Sequence, residues 1–250
     1  MTSINHPSYP FPTIQEVVCE VRFRLDKSWD ASFYSEFLKK IEEQFPTFEP
    51  TAAPVILHIN EQPGEAAGFS VPLVIRYKHS SRNLLLQLSE NRIVVNALPA
   101  YPGWQQVSED IRYAWRKLCE VVRPIEIERI GLRYINSIAR SAEDEPLGRW
   151  LAPSDYVPPA IFQARREFAA QISKRLTDED RITVKVFERT NPTNRFGDIV
   201  FDIDRIIEKN MAADESSLLE NTTRLHNEVW NVFVSAKTDD LERLLQGEFL

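Results

Sequence analysis

From Val17 to Leu25 apolar and polar residues alternate without a break. Val17, Cys19, Val21, Phe23 and Leu25 share one face, and Glu20, Arg22 and Arg24 share the other. A period of two with one apolar face describes a half-buried strand. The period then lengthens. Tyr34, Phe37, Leu38, Ile41 and Phe45 form one helical stripe, with Asp30 as the expected N-cap and Pro46 as the stop. Short alternating runs follow at Val55–Ile59, Leu73–Tyr77, Leu84–Leu88 and Ile93–Ala97. The last two are joined through Ser89, Glu90 and Asn91 as a hairpin. Val107, Ile111, Leu118 and Val122 mark a second amphipathic helix that ends just before Pro124.

The second half opens on "RIGLRYIN", Arg129–Asn136. Here Ile130, Leu132 and Tyr134 face one way and Arg129, Gly131 and Arg133 the other. Pro146–Pro153 predicts a short helix and Phe162–Leu176 one long strand. Two alternating runs follow, Ile182–Phe187 and Asp198–Asp204. A helix starting near Ser216 or Ser217 carries the stripe Leu218, Thr222, Leu225, Val229 and Val232, and a short helix Asp239–Leu245 follows it.

Each half therefore begins with an Arg-bearing strand, passes through a helix and a meander, and ends in an amphipathic helix. Gly131 lies 110 residues after Val21, a spacing that suggests an internal duplication. The expected fold class is α+β. Two similar β-α-β(n)-α halves, residues 1–123 and 124–250, form one curved antiparallel sheet with its helices on one side. This is the order of a helix-grip fold or a TATA-box-binding-protein-like saddle. Element order licenses a fold and no function. The alternative is an ordinary α+β domain whose halves match by coincidence.

Composition narrows the chemistry. The 250 residues are 43% hydrophobic, enough for a sizeable core, and the net charge is -7. A basic field is missing, so specific nucleic-acid binding is not expected. Two cysteines make neither a disulfide framework nor a zinc site. No apolar stretch is long enough for a membrane span, and the first residues do not resemble a signal peptide, so the expected location is cytoplasmic. The four histidines lack metal-ligand spacing, and with seven glycines phosphate-cradling loops are not expected. No catalytic residue, metal or cofactor is assigned.

The candidate site is the polar sheet face. Glu20, Arg22, Arg24, Arg129, Arg133, Gln163, Arg165, Glu167, Lys185, Asp198, Asp202 and Asp204 all fall on it by alternation. Guanidinium groups there suit a carboxylate or phosphate. Cross-strand ion pairing on a solvated face explains the same residues. Arginines at matching places in the two halves should approach the pseudo-axis, which singles out Arg22, Arg24 and Arg133, with Arg129 beside them. Asp202 and Asp204, roughly 7 Å apart along one strand, are too few for a metal centre alone. Trp104, at the start of the second helix, is either an interface anchor or a staple to the core. Two apolar ends, Tyr9 and Phe11 in the arm and Phe249 and Leu250 in the tail, either fold back or pack on a partner.

"YPFPTIQEVVCEVRF" (Tyr9–Phe23), "YPGWQQV" (Tyr101–Val107), "RIGLRYIN" and "LHNEVWNVF" (Leu225–Phe233) together resemble a sporadically distributed family of bacterial proteins of similar length. The resemblance implies a cytoplasmic bacterial protein, patchily inherited and encoded beside mobile or phage-defence genes. It brings no catalytic residue. The expected function is a non-enzymatic binding or sensor protein acting with a protein partner, an operon neighbour or a second copy, in a phage-defence or toxin–antitoxin-like system. The alternative is a small anionic-ligand binder or enzyme using the arginine-rich sheet face.

Overall fold

The computed structural model describes residues 6–52 and 73–248. The run Val55–Ile59 and the tail residues Phe249 and Leu250 lie outside them. Among the described residues the chain is α+β, with one nine-stranded antiparallel sheet and four α-helices.

β1 (Ile14–Arg24) leads to α1 (Ser32–Ile41). Four strands follow: β2 (Thr47–Ala52), β3 (Leu73–Lys78), β4 (Leu84–Ser89) and β5 (Arg92–Ala97). α2 (Trp104–Cys119) closes the first half, and β6 (Glu126–Ala139) opens the second. Then come β7 (Ala169–Arg175), β8 (Asp180–Asn191), β9 (Asn194–Ala212), α3 (Glu215–Ala236) and α4 (Asp239–Gln246). Across the sheet the order is β2-β3-β4-β5-β1-β6-β9-β8-β7. The two Arg-bearing strands, β1 and β6, thus lie side by side at the centre, antiparallel, with Cys19 opposite Leu132 and Glu20 opposite Gly131.

The alternation dictates the burial. Val17, Cys19, Val21 and Phe23 of β1 and Ile127, Ile130, Leu132 and Tyr134 of β6 are all buried in one core that spans both halves. Ile127 and Ile130 share a face despite their spacing of three because β6 is bulged between Ile127 and Arg129. The helices cover this face. α3 packs on β6 and β9, α2 on β5 and α3, and α1 on α2. α3 buries Leu218, Thr222, Leu225, His226, Val229, Val232, Phe233 and Ala236, a stripe at helical spacing.

Turn chemistry fixes the register. Asn91 holds the β4–β5 hairpin at φ 55°, a left-handed conformation that asparagine tolerates. Gly197 sits at φ 73°, and a Cβ there would lie 2.9 Å from the Arg189 carbonyl oxygen, so only glycine fits.

Several elements depart from the sequence expectation. Residues 162–168, expected to begin a long strand, form an irregular segment after a 3-10 helix (Pro159–Ile161), and β7 starts only at Ala169. Pro158 and Pro159 remove backbone donors there. The strand after Pro46, β2, was not foreseen; it carries Pro50 and lies at the sheet edge, where a missing N–H costs no ladder bond. The cap of α3 is Asp214, which accepts from Ser217 N at 2.7 Å. Asp30 accepts from Ser32 N, but α1 starts one residue later than an Asp30 cap predicts.

The arm folds back on its own chain. Tyr9 Oη donates to Glu242 at 2.7 Å and accepts from Lys237 at 2.9 Å. Phe11 N donates to the Leu245 carbonyl, and His6 stacks on Trp230. The His6 and Tyr9 side chains are thus engaged within the chain, while the Phe11 ring is half exposed.

Candidate functional site

The face of the sheet away from the helices is a charged mosaic, and strand register sets out its rows. In one row Ser89 of β4, Arg92 of β5, Arg22 of β1, Arg129 of β6 and Glu208 of β9 are consecutive cross-strand partners. Three arginines therefore stand side by side on adjacent strands at the sheet centre, roughly 5 Å from strand to strand. Like charges directly opposite destabilise a sheet unless something neutralises them.

That group is Glu20. Arg22 Nε donates to its Oε1 at 3.0 Å. Arg129 Nη1 lies 3.1 Å from the same oxygen, and Arg92 Nη1 lies 3.5 Å from Oε2. Arg92 Nε also donates to Ser89 Oγ at 3.1 Å. The Arg129 side chain is 17% exposed, and among the described residues its buried Nε has no hydrogen-bond partner; Glu208 stands off at 3.8 Å. Burial pushes the Arg129 guanidinium below its ordinary range, against the pull of Glu20.

The structure thus joins Arg22 and Arg129 and adds Arg92. It places the other sequence candidates elsewhere. Arg133 faces Val18 rather than an arginine. It grips buried Asp202 with two bonds, Nε to Oδ1 at 2.7 Å and Nη2 to Oδ2 at 2.6 Å. This bond raises the Arg133 pKa. Desolvation raises the pKa of neighbouring Asp204. Arg24 is shared between Glu126 and Glu128. Gln163, Arg165 and Glu167 lie in the irregular segment before β7 and not on the sheet. Asp198 is buried and accepts from Ser137, Arg189 and Asn191.

Trp104 lies on the helical side, apart from these arginines. It stacks on His226 with ring centroids 4.1 Å apart and planes 8° from parallel. It joins the start of α2 to α3, as a staple does. The Nδ1 of His226 lies 3.0 Å from the Tyr134 hydroxyl. Burial pushes the His226 pKa down to about 3, with a smaller contribution from His6. Desolvation keeps the Tyr134 hydroxyl protonated, so it can donate to that nitrogen.

Several ion pairs with a buried member were not anticipated, and two of them reach the helices. Arg205, 1% exposed, binds Glu228 of α3 through Nε at 2.8 Å and donates to the Arg181 carbonyl at 2.7 Å. Arg82 binds buried Asp110 of α2 with both terminal nitrogens. Among the described residues no three His, Cys, Asp or Glu side chains converge as metal ligands, and no helix is long and apolar enough to cross a membrane.

The fold and face define an α+β protein with a helix-backed sheet whose open side carries arginines at its central strand pair. No family model matches the chain, and no curated protein matches it.

Proposed function

We propose that this chain is a binding or sensor protein that recognises its partner on the open sheet face. The supporting observation is the meeting of Arg22 and Arg129 across the central strand pair, with Arg92 beside them. Arginine is the residue best suited to bidentate recognition of carboxylate or phosphate. The partner we favour is a protein, encoded nearby or a second copy. A bacterial cytoplasmic setting in phage defence rests on the resemblance of the Tyr9–Phe23 and Arg129–Asn136 strings alone. The free thiols Cys19 and Cys119 agree with a reducing compartment.

The reading includes an internal duplication. Counted outwards, β1 is followed by β5, β4 and β3, and β6 by β9, β8 and β7. That order supports two equivalent halves about a pseudo-two-fold between β1 and β6, with β2 an addition to the first. A saddle built this way carries both arginines beside its axis.

Co-expression of the full chain with the products of neighbouring genes, followed by affinity capture, tests the proposal. The chain should retain one of them, and Arg22→Glu with Arg129→Glu should release it. A partner held equally by that variant would place recognition elsewhere.

A further inference from the structure

The charge count around Glu20 points beyond a generic binding face. Three guanidinium groups, those of Arg22, Arg92 and Arg129, meet one carboxylate, an excess of two positive charges among the groups in direct contact, with Asp204 acting on Arg129 and Glu20 from further off and held by Arg133. Glu208 does not remove it, because that carboxylate is shared with Arg181 at 3.1 Å and brings another cation with it. Further along β1, Arg24 is already matched by Glu126 and Glu128 and takes no part. On a chain of net charge -7, this local excess runs against the composition.

The donors are also unspent. A guanidinium carries five N–H groups. Here Arg22 uses its Nε on Glu20, and Arg92 uses its Nε on Ser89. Arg129 keeps a buried Nε without a hydrogen-bond partner, out of reach of solvent, so an incoming anion meets its charge rather than that donor. Arg22 is 47% exposed and Arg92 28%, so their terminal nitrogens are within reach of solvent. Glu20 supplies two acceptor oxygens to three forks.

We infer that the Arg92–Arg22–Arg129 row binds a dianionic phosphate group, with Glu20 as an internal counter-ion that an incoming phosphate opposes. The inference rests on the open face being the binding face and names the chemistry read there. Two charges match the excess, and three phosphate oxygens match forks set on adjacent strands. A single carboxylate supplies one charge and two oxygens and leaves one arginine unneutralised. The site is a shelf rather than a cavity, so the dissociation constant for a free phosphate is on the order of a millimolar.

Calorimetric titration of the full chain with inorganic phosphate tests this, with sodium chloride at matched ionic strength as the blank. Phenyl phosphate, run in parallel, separates free phosphate from a monoester as the preferred source. Binding should weaken about tenfold or more in Arg22→Gln and in Arg129→Gln, the loss of one or two charge-assisted hydrogen bonds. Arg24→Gln should stay within about twofold, its partners lying outside the row. Glu20→Gln should bind about tenfold tighter, because the competing charge is gone. Circular dichroism establishes that each variant is folded; should Arg129→Gln fail to fold, Arg22→Gln and Arg92→Gln carry the test. No binding above the chloride blank overturns the inference. So does equal loss in Arg24→Gln, or weaker binding in Glu20→Gln. If phosphate fails while Arg22→Glu with Arg129→Glu still releases a captured partner, the binding face stands and only the phosphate assignment falls.

Discussion

Arg22 and Arg129 stand opposite one another across the β1–β6 pair, and both reach the same oxygen of Glu20, at 3.0 and 3.1 Å. Two cations at the closest cross-strand positions would repel. A single carboxylate one pair along the ladder holds them, and it holds Arg92 from the other side. Stability and recognition therefore depend on the same side chain in opposite senses. Glu20 relieves the arginine row in the free protein and competes with any anion that binds it.

The first prediction follows from that opposition. Glu20→Gln should destabilise the chain by about 1–2 kcal/mol at low ionic strength, because three guanidinium groups lose their shared anion. The deficit should shrink as salt screens the row. Urea unfolding at low and high salt measures it, and a salt-independent loss would locate the effect in packing instead.

His226 sets an acid limit. Its folded pKa, about 3, lies below the ordinary 6.5, so the unfolded chain takes up a proton that the folded chain refuses. Stability from this group is complete above about pH 6.5. It is lost as pH falls towards 3, at up to about 1.4 kcal/mol per pH unit. His226→Phe keeps a ring for Trp104 and should flatten this part of the profile. Unfolding midpoints at several pH values between 4 and 7.5, wild type against variant, give the comparison; parallel profiles would show that the imidazole does not titrate this way.

Asp204 behaves in the reverse sense. Its folded pKa is raised, chiefly by desolvation, so ionised Asp204 works against folding at neutral pH and protonation relieves that cost. The stability it withholds returns as pH falls through its folded pKa. Asp204→Asn should therefore raise the melting temperature at pH 7 and gain little near pH 4. A variant less stable at pH 7 would assign Asp204 a favourable pairing with Arg133.

Arg205 is buried under α3, and its charge is met by Glu228, by the Arg181 carbonyl and, at 3.9 Å, by Asp180. Glu228→Gln should cost about 1–3 kcal/mol, since it leaves a buried guanidinium undercompensated, with some of the effect lost to solvent at the half-open glutamate. Arg205→Met removes the charge and keeps the volume. Combined with Glu228→Gln it should recover part of the loss. Chemical denaturation of the three variants decides it, and additive losses would mean that the two side chains act independently.

Much of the fold was legible because alternation reports one buried face strand by strand. Val17–Phe23 and Ile130–Tyr134 gave β1 and β6, and the stripe Leu218–Val232 gave α3. Alternation also put Arg22 and Arg129 on the open face. It does not say which strands are neighbours, and that decides which charges meet. Arg133 looked like the partner of Arg22 from its place in the repeat, yet register sets Arg129 there and turns Arg133 to Asp202. Arg92 was overlooked because it opens a strand straight after a hairpin, with no pattern of its own. Arg205 occupies an apolar position of β9, where a period of two predicts a hydrophobe. The signal available was its isolation in that run; its acidic partners, Glu228 on α3 and Asp180 at the start of β8, come from other elements.

The central claim is that the arginine row around Glu20 is an anion-binding site and not a closed ion-pair network. Two-dimensional amide NMR of the full chain, titrated with inorganic phosphate against chloride at equal ionic strength, tests it most directly. Saturable shifts are expected at Glu20–Arg22, Arg92 and Arg129–Gly131, with the amides of α2 and α3 unmoved. Shifts no larger than those with chloride, or shifts centred on the helical face, would contradict it.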